Sequence, residues 1–105
     1  MRTVIFRTYP RSETKPEYYA EAERLMKIAV AMPGFIASKF FTASDGEEVT
    51  IVEFESDAAL NAWRQHPDHV AVQKNSSRFF SDYRITVFAE PERDYGVKDN
   101  VRHGR

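Results

Sequence analysis

A chain of 105 residues, 42% apolar and 30% charged, has room for one domain and one modest core, which a partner often helps to stabilise. Its formal net charge of −1 sets up no general attraction to nucleic acid or to an anionic membrane, and the absence of cysteine excludes disulfides, thiolate catalysis and thiolate metal sites. The opening MRTVIFRTYPR lacks the apolar run of a signal peptide, and no segment approaches the roughly 18 apolar residues of a membrane span, so a cytoplasmic protein is expected.

Thr3 to Tyr9 is rich in β-branched and aromatic residues and predicts a first strand, ended by Pro10. Thr14 and Glu17 have the spacing of a capping box, with Pro16 in the first turn where its missing N–H costs little. Tyr18, Ala22, Leu25, Met26 and Ala29 then form a helical stripe, and Glu21, Glu23, Arg24 and Lys27 cover the other side. Pro33 restricts Met32 and Gly34 admits a positive φ, so the helix is expected to stop before them.

The stretch FIASKFFTASDGEEVTIVEFE predicts a hairpin that turns at Asp45-Gly46, a pair read as a turn and nothing more. Ser56 is placed to cap the next helix, from Asp57 to about Arg64, which carries Ala58, Ala59, Leu60 and Trp63. His66-Pro67 interrupts it, and Pro67 opens a second helical segment that runs to about Phe80. Tyr83, Ile85, Val87 and Ala89 alternate with Arg84, Thr86 and Phe88 in a last strand. Residues 91–105 read as a polar C-terminal tail in which Tyr95, Val97 and Val101 are the large apolar side chains.

The order β-α-β-β-α-β predicts a single ferredoxin-like α+β domain over residues 1–90, with a four-stranded antiparallel sheet and both helices on one face. The middle strands are apolar on both sides. Phe35, Ala37 and Phe41 point one way and Ile36 and Phe40 the other, while Val49 and Ile51 oppose Val52 and Phe54. One helix layer covers one face, and a second copy of the sheet is the simplest cover for the other, which predicts a homodimer.

Pro33-Gly34-Phe35, the segment EFESDAALNAWRQHPDHVAVQ and the closing FFSDYRITVFAEPERDYG resemble the antibiotic biosynthesis monooxygenase family, over residues 3 to 96. The phrase W-x-x-H-P-x-H before an aromatic-rich Y-R strand is similar to one branch of it. The resemblance implies a dimeric α+β barrel in which two sheets pack face to face, and a ligand cavity between sheet and helices in each subunit. It implies a cofactor-independent monooxygenase that takes a small phenolic, hydroquinone or polyketide-like aromatic molecule and molecular oxygen. The family also contains haem-degrading relatives and leaves room for a non-enzymatic, small-ligand-binding dimer. Haem-degrading relatives look to carry an axial histidine where this chain reads Gln73-Lys74, and an asparagine in the first strand, a residue type missing from Thr3 to Tyr9.

Trp63 reads either as core or as a cavity wall that offers an indole N–H, and the resemblance favours the cavity. His66 and His69 lie three apart around Pro67, a spacing that permits a shared metal; two histidines alone make an incomplete site, and no metal or cofactor is expected. No glycine-rich phosphate loop or dinucleotide fingerprint is present. His66 reads as a cap for the helix that Pro67 begins. His69 reads as a neutral imidazole able to take a phenolic proton. The aromatic-oxidising relatives look to have a tyrosine at the position of His69 and an asparagine at that of Ala59. Arg84 falls on the sheet face opposite Tyr83, where it can hold an anionic substrate oxygen or form an ion pair at an interface. Phe79, Phe80, Tyr83 and Phe88 are core and interface residues first; Phe79, Phe80 and Tyr83, with His66, are the pocket-lining candidates. Asp68, Lys74 and Arg78 read as solvated.

Overall fold

The computed structural model describes residues 1–99 and 101–104, with side chains through residue 99. The β-branched and aromatic runs form β1 (Arg2–Pro10), β2 (Phe35–Thr42), β3 (Glu48–Phe54) and β4 (Phe80–Phe88), an antiparallel sheet in the order β2-β3-β1-β4. Between them lie α1 (Lys15–Val30), α2 (Asp57–Arg64), α3 (Pro67–Gln73) and the single turn α4 (Ser76–Phe79). This is the ferredoxin-like α+β plan expected from the order of elements.

Strand alternation sorts the sheet into two faces. Val4 sits opposite Val52 and Val87, Phe6 opposite Thr50 and Ile85, and Thr8 opposite Glu48 and Tyr83. This face lies beneath the helices. Leu25, Ala29, Phe54, Leu60 and Trp63 form one buried cluster, against which Val4 and Val52 pack. Tyr18, Phe79 and Phe80 form a second, with Phe6 packed against it. The other face carries Ile5, Ile51, Phe41 and Phe88, together with Arg7 and Arg84; Phe41 and Phe88 are exposed. Phe35 departs from the expected alternation. A register shift between Phe35 and Ala37 turns Phe35 toward the helices, where its ring meets Phe54 edge-on at 6.0 Å, while Ala37 and Phe41 stay on the open face.

Local chemistry explains how the elements end. Gly34 has φ +85°, and a Cβ there would lie 2.5 Å from Cβ of Ala59, so only glycine lets the chain turn from α1 into β2 this close to α2. Ser56 caps α2 by accepting from the N–H of Ala59 at 3.1 Å, as its position predicts. The capping box at α1 does not form. Thr14 instead donates its hydroxyl to the carbonyl of Arg78 at 3.0 Å, and Glu17 pairs with the Arg78 guanidinium at 2.6 Å. The start of α1 thus docks on α4, which offers both side chains stronger partners than the helix's own N–H groups. Arg78 is therefore ion-paired and not simply solvated.

The helical segment from Pro67 stops at Gln73, short of the expected Phe80, and a turn at Lys74-Asn75 separates it from α4. Asn75, Ser76 and Ser77 are weak helix formers whose side chains compete for the backbone, which accounts for the break. The β2–β3 turn also does more than reverse the chain. Asp45 accepts from the N–H of Glu47 at 3.0 Å and from the hydroxyl of Tyr9 at 2.7 Å, and Glu47 binds Arg7 through two contacts of 3.0 and 3.2 Å. The turn is thereby fastened to β1. The tail holds a further hairpin, β5 (Tyr95–Lys98) and β6 (Val101–Gly104), as a separate two-stranded sheet that its polar composition did not suggest. Among the described residues, no helix is long and apolar enough to cross a membrane.

Candidate functional site

The site begins with the cap at Ser56. It sets the phase of α2, so that Leu60 and Trp63, three residues apart, both turn inward and are buried. Pro67 then forces a break. His66 is extended, with φ −59° and ψ 133°, and its Nδ1 accepts from the N–H of Asp68 at 3.2 Å. His66 is the N-cap of α3, the role its place before Pro67 predicted.

The reversal at His66 carries α3 back against α2, and His69, in its first turn, lands on Trp63. The two rings stack with centroids 4.6 Å apart and planes at 11°. His66 also lies beside the indole, tilted at 43° with a centroid distance of 6.0 Å. Burial pushes the His69 pKa below the ordinary histidine value of 6.5; the carbonyls of Trp63 and Arg64 oppose this, and the charges of Arg64 and His66 add to it. The neutral ring is therefore the form favoured in the fold. Its Nδ1 is buried and makes no hydrogen bond of normal length, with the carbonyls of Trp63 and Arg64 beside the ring.

The other pocket-lining candidates, Phe79, Phe80 and Tyr83, fall into an adjacent aromatic group. Phe80 meets Tyr18 edge-on at 4.8 Å and Phe6 at 5.5 Å, while Tyr83 lies 6.1 Å from Phe80 and 6.2 Å from Phe6. Phe79 and Phe80 are buried, but Tyr83 remains 54% exposed. Val72 of α3 packs against both this group and the Trp63 cluster, and so joins the two. Arg84 is not brought to them. It pairs directly opposite Arg7 on the helix-free face, across the sheet from Trp63 and His69. Asp68, expected to be solvated, lies 3.5 Å from Arg24 and ties α3 to α1.

Glu48 was missed by sequence reasoning. It is only 3% exposed, accepts a hydrogen bond from the Tyr19 hydroxyl at Oε2, and leaves Oε1 unpartnered. That bond raises the Tyr19 pKa to about 12, and burial first, then Glu48, raises Tyr18 to about 12. The available signal was phase: Glu48 alternates with Thr50, Val52 and Phe54, the helix-facing set of β3. Among the described residues, no three metal-ligating side chains come together.

Comparison with known proteins agrees with this architecture. Residues 1–75 match the model of a family described as antibiotic biosynthesis monooxygenase. The uncharacterized protein YqjZ of Bacillus subtilis is 33% identical over 99 residues, covering 93% of this chain and 85% of that protein. The structure of Rv0793 from Mycobacterium tuberculosis superposes with a TM-score of 0.76 at 22% identity, over 87% of this chain and 95% of that one. SnoaB from Streptomyces nogalater, described as a cofactor-independent oxygenase, superposes with a TM-score of 0.73 at 14% identity, over 87% of this chain and 93% of its own. The family match spans well over half the sequence and the Bacillus relative nearly all of it, and the chain belongs to the antibiotic biosynthesis monooxygenase family.

Proposed function

We propose that the protein is a cofactor-independent monooxygenase that acts on a small phenolic aromatic compound, with His69 as the base. The observation that carries this reading is His69 itself: a buried, neutral imidazole stacked on the single tryptophan, with Nδ1 making no hydrogen bond of normal length. Membership of the family and the likeness to an enzyme described as a cofactor-independent oxygenase support it.

Chemically, a phenol gives up its hydroxyl proton to Nδ1 and becomes an electron-rich anion. The anion passes one electron to molecular oxygen, and the radical and superoxide combine at the open ring carbon opposite the phenolic oxygen. The hydroperoxide takes up the proton held by His69 and loses water, with the ring hydrogen leaving as the second proton. Phenol plus oxygen thus becomes quinone plus water, with oxygen as the oxidant. Trp63 provides a flat wall and an indole N–H near the developing charge. Low local polarity strengthens these interactions.

Function as a homodimer is part of the proposal. Among the described residues no helix lies over the face bearing Ile5, Ile51, Phe41 and Phe88, and a second sheet would cover it. Arg84 lies on that face and is assigned to the interface, not to the reacting atoms. The hairpin of β5 and β6 is a separate pair, and Tyr95 and Val97 expose 72% and 63% of their surface. Isolated hairpins are marginal in water, which favours contact between this arm and the other subunit. Oxygen uptake by the metal-free protein with a panel of phenols tests the activity, and turnover no faster than buffer across the panel removes it.

A further inference from the structure

Glu48 opens β3 in phase with the helix-facing residues, so its carboxylate enters the layer between sheet and helices. Such a group normally meets several donors, because an acceptor withdrawn from water and left unpaired is costly. Here one oxygen is served by Tyr19 and the other by none. The neighbours do not fill the need. Thr8, opposite Glu48, donates its hydroxyl to the carbonyl of Asp82 at 3.1 Å. The same cross-strand row ends at Tyr83, the half-exposed edge of the aromatic group formed with Phe6 and Phe80. Tyr18, also in that group, lies close enough to feel the charge of Glu48. Val72 links this group to the cluster that contains Trp63.

Two polar atoms without partners therefore border the two clusters that Val72 joins: Oε1 of Glu48, whose charge reaches Tyr18 of one, and Nδ1 of His69, whose ring stacks on Trp63 of the other. We propose that Glu48 is a ligand-binding residue whose Oε1 accepts a hydrogen bond from a second hydroxyl on the aromatic molecule that His69 deprotonates. The site then selects dihydroxylated aromatics over monophenols. The inference rests on the phenolic reading above and specifies its substrate class. Tyr19, which donates to the other oxygen, is 41% exposed, and side-chain rotation at such a surface position is fast.

Trp63 is the single tryptophan, so its fluorescence reports binding directly. The wild-type protein is titrated without oxygen with two probes: a naphthalenediol with one hydroxyl on each ring, and the corresponding mononaphthol. The diol is expected to bind at least about tenfold more tightly, the scale of a hydrogen bond to a charged acceptor. Glu48→Met should bind the two probes equally, and Glu48→Gln, which keeps the shape and loses the charge, should lower the preference several-fold. Thermal melts show which variants are folded, and Glu48→Gln alone decides if the methionine variant is not. Equal binding of both probes by the wild type, or a preference that survives in the folded variants, overturns the role of Glu48. If both probes bind equally and His69→Ala weakens both, the phenolic reading stands and Glu48 alone is ruled out. If neither probe binds, both fall.

Discussion

Trp63 and His69 stack at 4.6 Å with their planes 11° from parallel, although they lie on different helices separated by the break at Pro67. The stack combines two local devices, the Ser56 cap that turns Trp63 inward and the His66–Pro67 reversal that returns α3 to it. It makes Trp63 both a packing residue and the wall against which the imidazole rests.

Replacing Trp63 with Phe keeps an aromatic face but removes the N–H and part of the volume. Stability is expected to fall modestly, whereas Trp63→Ala should cost about 3–5 kcal/mol because the side chain is 8% exposed within the main cluster. Denaturation of both variants, with oxygen uptake measured on the folded one, separates the roles. Trp63→Phe should lose turnover out of proportion to stability; full activity would reduce Trp63 to packing alone.

The pH dependence of stability follows from the burial of His69. Its folded pKa lies below the ordinary 6.5, so the unfolded chain binds the proton first as pH falls. The contribution is fully present above 6.5 and is lost as pH drops through the folded value. Urea midpoints measured from neutral to mildly acidic pH should fall more steeply in wild type than in His69→Leu. Parallel curves would show that the ring does not titrate as its burial requires.

Gly34 is held at φ +85° with Ala59 directly beside it. Gly34→Ala should destabilise by about 2 kcal/mol or more, through the positive φ and the overpacking together. A paired Ala59→Gly change should recover only the packing share, since the backbone strain remains. Urea denaturation of the single and double variants measures both parts, and an unchanged midpoint in Gly34→Ala would contradict the crowding.

The helix-free face predicts one species of twice the chain mass in sedimentation at micromolar protein. Removing residues 91–105 should weaken that association, because it deletes the arm bearing Tyr95 and Val97. A wild-type monomer would contradict the dimer. A truncated protein that associates as tightly as wild type would contradict the role of the arm.

Strand alternation, helical stripes and turn residues made the order of elements legible, because each reflects short-range geometry. Ser56, His66 and Gly34 were readable for the same reason. What depended on tertiary contact was not. Thr14 and Glu17 were drawn away from their own helix by Arg78, and a register shift moved Phe35 to the other face. The stack of His69 on Trp63 requires the angle between α2 and α3, which spacing alone does not supply. Glu48 was passed over because a carboxylate beside a turn is usually solvated, even though its phase along β3 marked it as inward.

The central claim is that His69 removes the proton that starts the reaction with oxygen. Oxygen consumption by wild type and His69→Ala, measured on the same phenols in the presence of a chelator, tests it most directly. The account predicts turnover by the wild type, a loss of roughly 10²-fold or more in kcat/KM for His69→Ala, and a much smaller loss for the capping variant His66→Ala. Wild-type activity should rise with pH through an apparent pKa below 6.5, and that limb should vanish with the imidazole. Equal rates for wild type and His69→Ala would contradict the assignment.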